Sequence, residues 1–588
     1  MSSYQIVKES RCQYAIVCAR TADETTRYAA NELQKYLYRC TGASAAIMSD
    51  ISPCIRLSVE PQPEIRIGPD VRRDPYYAEI DFDALDDEGF LIRTHEKNIY
   101  ITGKTSRGTL YGVYEFLERF LGCHWYAPGG SVLPFDRNLT IPETDFTDKP
   151  AFEYRDAYWG CAFDGDFCAH NRLNSAKAVI SPEQGGKMRF YNFHHACLDL
   201  VPEEDYFAEH PEYYALRDGE RKPTQLCLSN PEVRRIAAQT LRRWIKENPF
   251  ATVFSIAQND NQGYCTCPEC RKLDEAEGSP CASLIDFANA LADDIAEEYP
   301  HVLLHTFAYQ YSVVPPKTLR PRKNVIVRLC NIGADFSKPY TEGAKTDERT
   351  KEFVDSMNIW NGRADRLYVW DYCVNFVNYL LPFPNLECLQ PNMRLYRDKG
   401  VRGVFMEGDF SHGCAAFFCE LQAYLQARLL WNPDCDYEAE MDGFLNAYYG
   451  KGAPFVKEFI GLMNERARAV PRMSIYQWPD FELFTDEFTA KGISLFTKAA
   501  LAAENEQVRY RIERTGLGVE YLYLARLPME TAGRNDMIDA FGEKLRKFGV
   551  TEITERGHLD EAIEGMKPLR YGKAMRRDGQ YYHMYYRM

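Results

Sequence analysis

Three segments of this sequence run from apolar residues straight into groups able to move protons or hold polar ligands. Val253-Phe254-Ser255-Ile256-Ala257 leads into Gln258-Asn259-Asp260, Leu367-Tyr368-Val369-Trp370 into Asp371, and Val401-Arg402-Gly403-Val404-Phe405-Met406 into Glu407. A near-continuous apolar run is the pattern of a parallel strand buried on both faces. Polar groups at the exits of such strands mark the catalytic face of a (β/α)8 barrel. Carboxyls beside tryptophan and tyrosine suit carbohydrate cleavage, because sugars stack on aromatic faces and glycosidic bonds need acid–base carboxyls.

Glu407, at the end of an apolar strand, is expected to titrate near neutrality and act as general acid. Asp371, between Trp370 and Tyr372, is expected to be its partner. On a 2-acetamido sugar it would orient the acetamido group, which itself attacks the anomeric carbon, a substrate-assisted departure from the two-carboxylate scheme. Asp260, Asn259 and Gln258 are expected to bind sugar hydroxyls, with Asp260 as an alternative acid. His194, after Phe190-Tyr191-Asn192-Phe193, is a candidate sugar contact, and Tyr309 and Trp370 are candidate stacking platforms. The competing role for each is structural: a loop acid, a satisfied amide or a core ring.

Cys265-x-Cys267-x-x-Cys270 has a spacing at which thiolates converge on zinc, with Cys281 or a histidine as fourth ligand. Such a closed site would brace the loop after Asp260 and take no part in catalysis; loop thiols without metal are the equal alternative. His194 and His195 lack an obvious third ligand. His95-Glu96-Lys97-Asn98-Ile99 starts like a zincin helix but has isoleucine where the second histidine must stand. There is no P-loop, dinucleotide glycine fingerprint or nucleophile elbow, so no cofactor is expected for the chemistry.

The elements that must position these residues follow from the rest of the chain. At 588 residues it is too long for one core. Its 45% hydrophobic and 26% charged residues are those of a globular protein, and its net charge of −15 argues against nucleic acid or an anionic membrane as partner. The 19 cysteines are scattered and odd in number, as free thiols in a reducing compartment would be. Lys8, Glu9, Arg11 and Arg20 break the first twenty residues, so no secretory leader is read there and a cytoplasmic location is expected, or export if a leader was removed.

Residues 1–150 read as a small α/β domain. Ala29, Leu33 and Leu37 form a helical stripe stopped by Gly42, and Leu110, Val113, Leu117 and Phe120 form another stopped by Gly122. Phe90–Arg93 and Asn98–Thr102 read as a strand pair. Residues 151–432 alternate strand and helix as a TIM-like barrel does. Seven strand candidates stand out: Glu153–Trp159, Met188–His194, Thr252–Asp260, Leu303–Tyr311, Asn324–Asn331, Leu367–Tyr372 and Val401–Glu407. An eighth either lies near Asn174–Ile180 or is missing. Residues 433–588 read as a mostly helical domain with an aromatic, basic tail (Tyr581, Tyr582, Tyr585, Tyr586).

The segment from Ser255-Ile256-Ala257-Gln258-Asn259-Asp260 through Cys270 resembles the hallmark of glycoside hydrolase family 163 and its wider relatives, long catalogued as a domain of unknown function. Thr306–Tyr311, Trp370-Asp371-Tyr372, Leu381–Asn385 and Leu430-Trp431-Asn432-Pro433 are similar to the same pattern. Gly108–Glu118 and Gly122-Cys123-His124-Trp125-Tyr126 resemble the domain that precedes the barrel in hexosaminidases and α-glucuronidases. The resemblance implies retaining endo-β-N-acetylglucosaminidase action on N-glycan arms. Two rivals remain. An α-glucuronidase-like or other exo-glycosidase would need a cation for a uronate, for which Arg328 is the barrel-strand candidate; the other rival is a non-catalytic carbohydrate-binding protein.

Overall fold

The computed structural model describes residues 3–50, 62–555 and 557–567. The tyrosine-rich tail lies outside them. The chain forms two compact units, Met1–Ala151 with Cys161–Lys187 and Glu420–Ala453, and Phe152–Gly160 with Met188–Cys419 and Pro454–Met588. The units therefore interleave along the chain.

In the first unit, a six-stranded mixed sheet runs in the order Asp145–Asp148, Phe90–His95, Asn98–Gly103, Glu64–Ile67, Ala15–Cys18, Ile47–Ser49. Helices Glu24–Thr41 and Ser106–Leu121 lie on it, and both ends of each have a local cause. Asp23 and Thr105 accept hydrogen bonds from the first-turn amides of Thr26 and Gly108. Gly42 and Gly122 take the left-handed conformation, with φ of 73° and 67°, that ends each helix. The two apolar stripes read from the sequence, Leu33 and Leu37 with Leu110, Val113 and Leu117, meet Ile16, Ile65, Ile99 and Ile101 in one core.

The second unit is built on seven parallel strands, labelled here β1 (Tyr154–Tyr158), β2 (Phe190–Tyr191), β3 (Val253–Ser255), β4 (Leu303–Ala308), β5 (Val325–Cys330), β6 (Arg366–Tyr372) and β7 (Val401–Glu407). Their order is β1-β7-β6-β5-β4-β3-β2. Helices Pro231–Glu247, Cys281–Ile295, Glu348–Trp360 and Leu386–Asp398 connect successive strands, as parallel pairing requires. The sheet is curled into a half-barrel. The eighth strand sought near Asn174–Ile180 is absent: those residues have no strand structure and belong to the first unit. Among the described residues, β1 and β2 remain the two edges, yet the curl brings the rings of Tyr154 and Phe190 to 5.2 Å and those of Tyr158 and Phe193 to 6.3 Å.

Arg328 fills the concave side. It is fully buried (0% exposed), and its guanidinium carbon lies over the rings of Phe193 (4.6 Å), Phe190 (5.1 Å), Trp370 (5.6 Å), Tyr154 (5.7 Å) and Phe405 (5.7 Å). None of its three guanidinium nitrogens has a hydrogen-bond partner among the described residues. A flat, weakly hydrated cation tolerates this because ring faces are electronegative. Burial lowers its pKa, opposed by Tyr154, Cys330, Tyr368 and Asp156. Arg328 is thus the floor beneath the mouth, and it is not exposed to meet a substrate carboxylate.

Six helices from Tyr437 to Met566 make the C-terminal region largely helical. A hairpin, Glu552–Thr554 with Gly557–His558, interrupts them and is tied to the loop after β6 through Ile553 O, which accepts from Tyr379 N at 2.8 Å. No helix among the described residues is long and apolar enough to cross a membrane.

Arg328→Ala should destabilise the half-barrel by about 3 kcal/mol or more, through lost cation–π contacts and the cavity left between rings. Urea unfolding followed by tryptophan fluorescence measures this. A variant within about 1 kcal/mol of the parent would show that the rings hold the face without the cation.

Candidate active site

Strand register decides which carboxyls can meet a ligand. β6 and β7 pair Trp370 with Phe405, Asp371 with Met406 and Tyr372 with Glu407. Successive strand residues point to opposite faces. Trp370, Tyr372, Phe405 and Glu407 therefore share the concave face, and Asp371 and Met406 lie on the other.

Glu407 ends β7 at the carboxyl edge of the sheet. Its side chain keeps some exposure, yet its carboxyl is enclosed tightly enough that lost hydration pushes its pKa up to about 8. A hydrogen bond of 2.8 Å from Trp370 Nε1 to Glu407 Oε2 opposes the rise, and Glu555, brought in by the C-terminal hairpin, adds to it. Trp370 is itself wedged against Phe405 (4.3 Å), Phe307 (5.6 Å) and Phe193 (5.8 Å). At neutral pH the group is a protonated acid held on a rigid indole.

The opposite rim comes from the exits of β3 and β4. Asp260 is exposed and accepts from Gln310 Nε2 at 2.7 Å. Asp260 and burial together raise the pKa of the Tyr309 hydroxyl, burial being the larger effect. Cys330 ends β5, between the two rims in strand order; burial pushes its thiol up, Arg328 opposes this, and Glu407 and Asp260 add to it. His194 is exposed, with its ring 5.8 Å from that of Trp370. Its carbonyl accepts from Ser255 Oγ at 2.6 Å. His195 turns inward and bonds through Nδ1 to Gln258 O. Neither histidine joins a group able to hold a metal among the described residues.

Several expected site residues serve the scaffold. Gln258 is 1% exposed, and its Nε2 donates to Ser312 Oγ at 2.6 Å, tying the β3 exit to the turn after β4. It is hidden from a sugar. Asn259 is half-buried and exchanges bonds with Gln225 and Thr224, which fixes the loop that carries Asp260. Trp370 and Tyr309, 8% and 7% exposed, offer at most a ring edge to the mouth.

The expected partnership of Glu407 with Asp371 needs correction. Asp371 is buried on the convex side, where its carboxyl accepts from Tyr340 OH (2.6 Å), Tyr396 OH (2.6 Å), Asn331 Nδ2 (2.7 Å) and Tyr372 N (2.8 Å). Burial raises its pKa while these donors, Tyr340 first, lower it. The groups that the sequence reading missed include Tyr372 and Cys330, whose strands are buried on both faces and so gave no sign of the side each takes. Glu555 carried no signal, because only tertiary docking brings it to the mouth.

The cysteine motif also gathers differently. Cys265, Cys267 and Cys270 lie with Cys227, all four buried, with sulfurs within 4.8 Å of one another. Cys281, fully buried elsewhere, is not in the group. Helix Pro231–Glu247 and strand β3 separate Cys227 from the motif in sequence, which hid it.

Glu407 predicts a pH dependence of stability. Its pKa is raised from 4.5 to about 8, so the folded protein keeps a proton that the unfolded chain releases. The resulting stabilisation is full below pH 4.5 and is lost as pH rises through about 8. Glu407→Gln has no such proton, so its melting temperature should rise relative to the parent across that window. Identical pH slopes for the two proteins would contradict the assignment. Asp371→Asn should instead cost about 2 kcal/mol at neutral pH, since an amide cannot accept from all four donors. Chemical denaturation reads this, and unchanged stability would refute the scaffold role.

The sequence matches the family model "Domain of unknown function (DUF4838)" over residues 125–461. Residues 4–116 match the "Glycosyl hydrolase family 67 N-terminus" model. A beta-hexosaminidase from Porphyromonas gingivalis is 28% identical over 117 residues, which are 20% of this chain and 14% of that protein. A GH138 enzyme targeting pectin rhamnogalacturonan II aligns with a TM-score of 0.45 and 11% identity over 93% of this chain and 74% of that one. CpGH84B aligns with a TM-score of 0.42 and 14% identity over 96% and 97% of the two chains. With more than half its length under one model, the chain belongs to the family described as domain of unknown function DUF4838.

Proposed function

We propose that this protein is a glycoside hydrolase acting on β-linked N-acetylglucosamine in oligosaccharides or N-glycans, with Glu407 as general acid. The observation that carries the proposal is the Glu407 carboxyl, raised to about 8 by burial at the carboxyl edge of a parallel sheet. A glycosidic oxygen leaves only when protonated, and an acid still protonated at neutral pH supplies that proton. The partial match to a beta-hexosaminidase supports the choice of sugar.

In this reading Glu407 protonates the glycosidic oxygen as its bond to the anomeric carbon breaks. The acetamido oxygen of the substrate attacks the same carbon, giving a cyclic intermediate that water opens with retention as Glu407 takes back a proton. Asp260, the exposed carboxyl at the exit of β3, takes over from Asp371 the task of orienting the acetamido group. A glucuronidase-like reading loses its nominated cation, since Arg328 is fully buried.

Incubation with aryl β-N-acetylglucosaminides, chito-oligosaccharides and N-glycan-derived oligosaccharides, read by mass spectrometry, tests the substrate class. No cleavage of any of them by folded protein would overturn it. Glu407→Gln should lose about 10²–10⁴-fold on poor leaving groups and far less on activated aryl glycosides. Asp260→Asn should damage both. Equal losses on both substrates for Glu407→Gln would remove its acid role.

A further inference from the structure

We infer that Cys227, Cys265, Cys267 and Cys270 form a closed, four-thiolate zinc site that fastens the Asp260 loop to the hairpin of strands Tyr214–Arg217 and Glu220–Leu226. The inference does not depend on the glycosidase reading.

The chemistry of the donor set points to zinc. All four cysteines are free and buried, at most 5% exposed, and their sulfurs lie within 4.8 Å of one another. The sulfurs of Cys227 and Cys267 are 3.6 Å apart. Two thiolates each about 2.3 Å from a shared tetrahedral zinc are about 3.8 Å apart. Four sulfur ligands leave no position open for water or substrate, which makes the site structural.

The surroundings suit a cluster of negative charge. Cys267 is the N-cap of helix Pro268–Glu277 and Cys270 lies in its first turn, where the helix dipole favours thiolates. Leu216 N donates to Cys265 Sγ at 3.3 Å and Cys267 N does so at 3.5 Å, while Arg221 Nη1 is 4.0 Å from the same sulfur. Ser229 Oγ is 3.1 Å from Cys270 Sγ.

Position gives the site a purpose. Cys227 follows the strand Glu220–Leu226 of the hairpin, and the other three cysteines follow the Asp260 loop. Between these ends, hairpin and loop are already tied by Gln225 Nε2 to Asn259 O (2.9 Å), Asn261 Nδ2 to Thr224 O (3.1 Å) and Thr224 Oγ1 to Gly263 O (3.0 Å). A metal joining Cys227 to the other three would lock these bonds in place and hold Asp260 at the rim.

Full-length protein purified under reducing conditions should carry equimolar zinc by elemental mass spectrometry. Its zinc X-ray absorption should show a shell of sulfur alone. Cys227→Ser should lose more than half of the zinc, whereas Cys281→Ser, which changes a buried cysteine outside the cluster, should keep it. Wild-type protein without stoichiometric zinc would overturn the assignment, and so would nitrogen or oxygen in the first shell. Full zinc retention by Cys227→Ser, or an intact mass showing disulfides in place of metal, would do the same. The absorption measurement uses unmodified protein, so it decides the question even if the variants fail to fold.

Discussion

Arg328 presses a guanidinium against five aromatic faces on the concave side of the sheet. Those rings come from β1, from β2 and the residue pair after it, from β6 and from β7, so one cation from a central strand touches both sheet edges and the strands that carry the acid. An eighth strand would tie the edges of a full barrel by backbone hydrogen bonds; here the cation and rings fill the space between them. Trp370 is one of the five rings and also the donor to Glu407. The packing that holds the curl therefore also fixes the catalytic candidate.

Two carboxyls that look alike in sequence acquire opposite roles through strand alternation. Glu407 points into the concave face with one donated hydrogen bond from Trp370 and a pKa driven upward by burial. Asp371 points outward into four donors that hold the convex layer together. A shift of one residue in β6 would turn Asp371 to the concave face, and one in β7 would turn Glu407 away from it. Proton transfer needs an acid with spare bonding capacity, and scaffold strength needs one with none.

Much of the local structure was legible because its causes are local. Asp23, Gly42, Thr105 and Gly122 delimit their helices by side-chain capping and left-handed backbone, and the Leu33/Leu37 stripe names its buried face. The strands were legible as apolar runs, down to Glu407 at the end of one. What stayed hidden depends on tertiary placement. An apolar run buried on both faces carries no in–out alternation, so the side taken by Asp371 could not be read. Gln258 looked like a ligand because its burial under Ser312 is set by a different strand exit. Cys227 and Glu555 reach their neighbours only through the folded chain.

Glu407 can serve as the acid only if it is protonated at neutral pH, and this can be observed directly. Infrared difference spectra between wild type and Glu407→Gln, taken across pH, isolate the carbonyl band of its protonated carboxyl. The band should persist through neutrality and vanish with a midpoint near 8. A midpoint near the ordinary 4.5 would contradict the account, because the candidate acid would then have no proton to give.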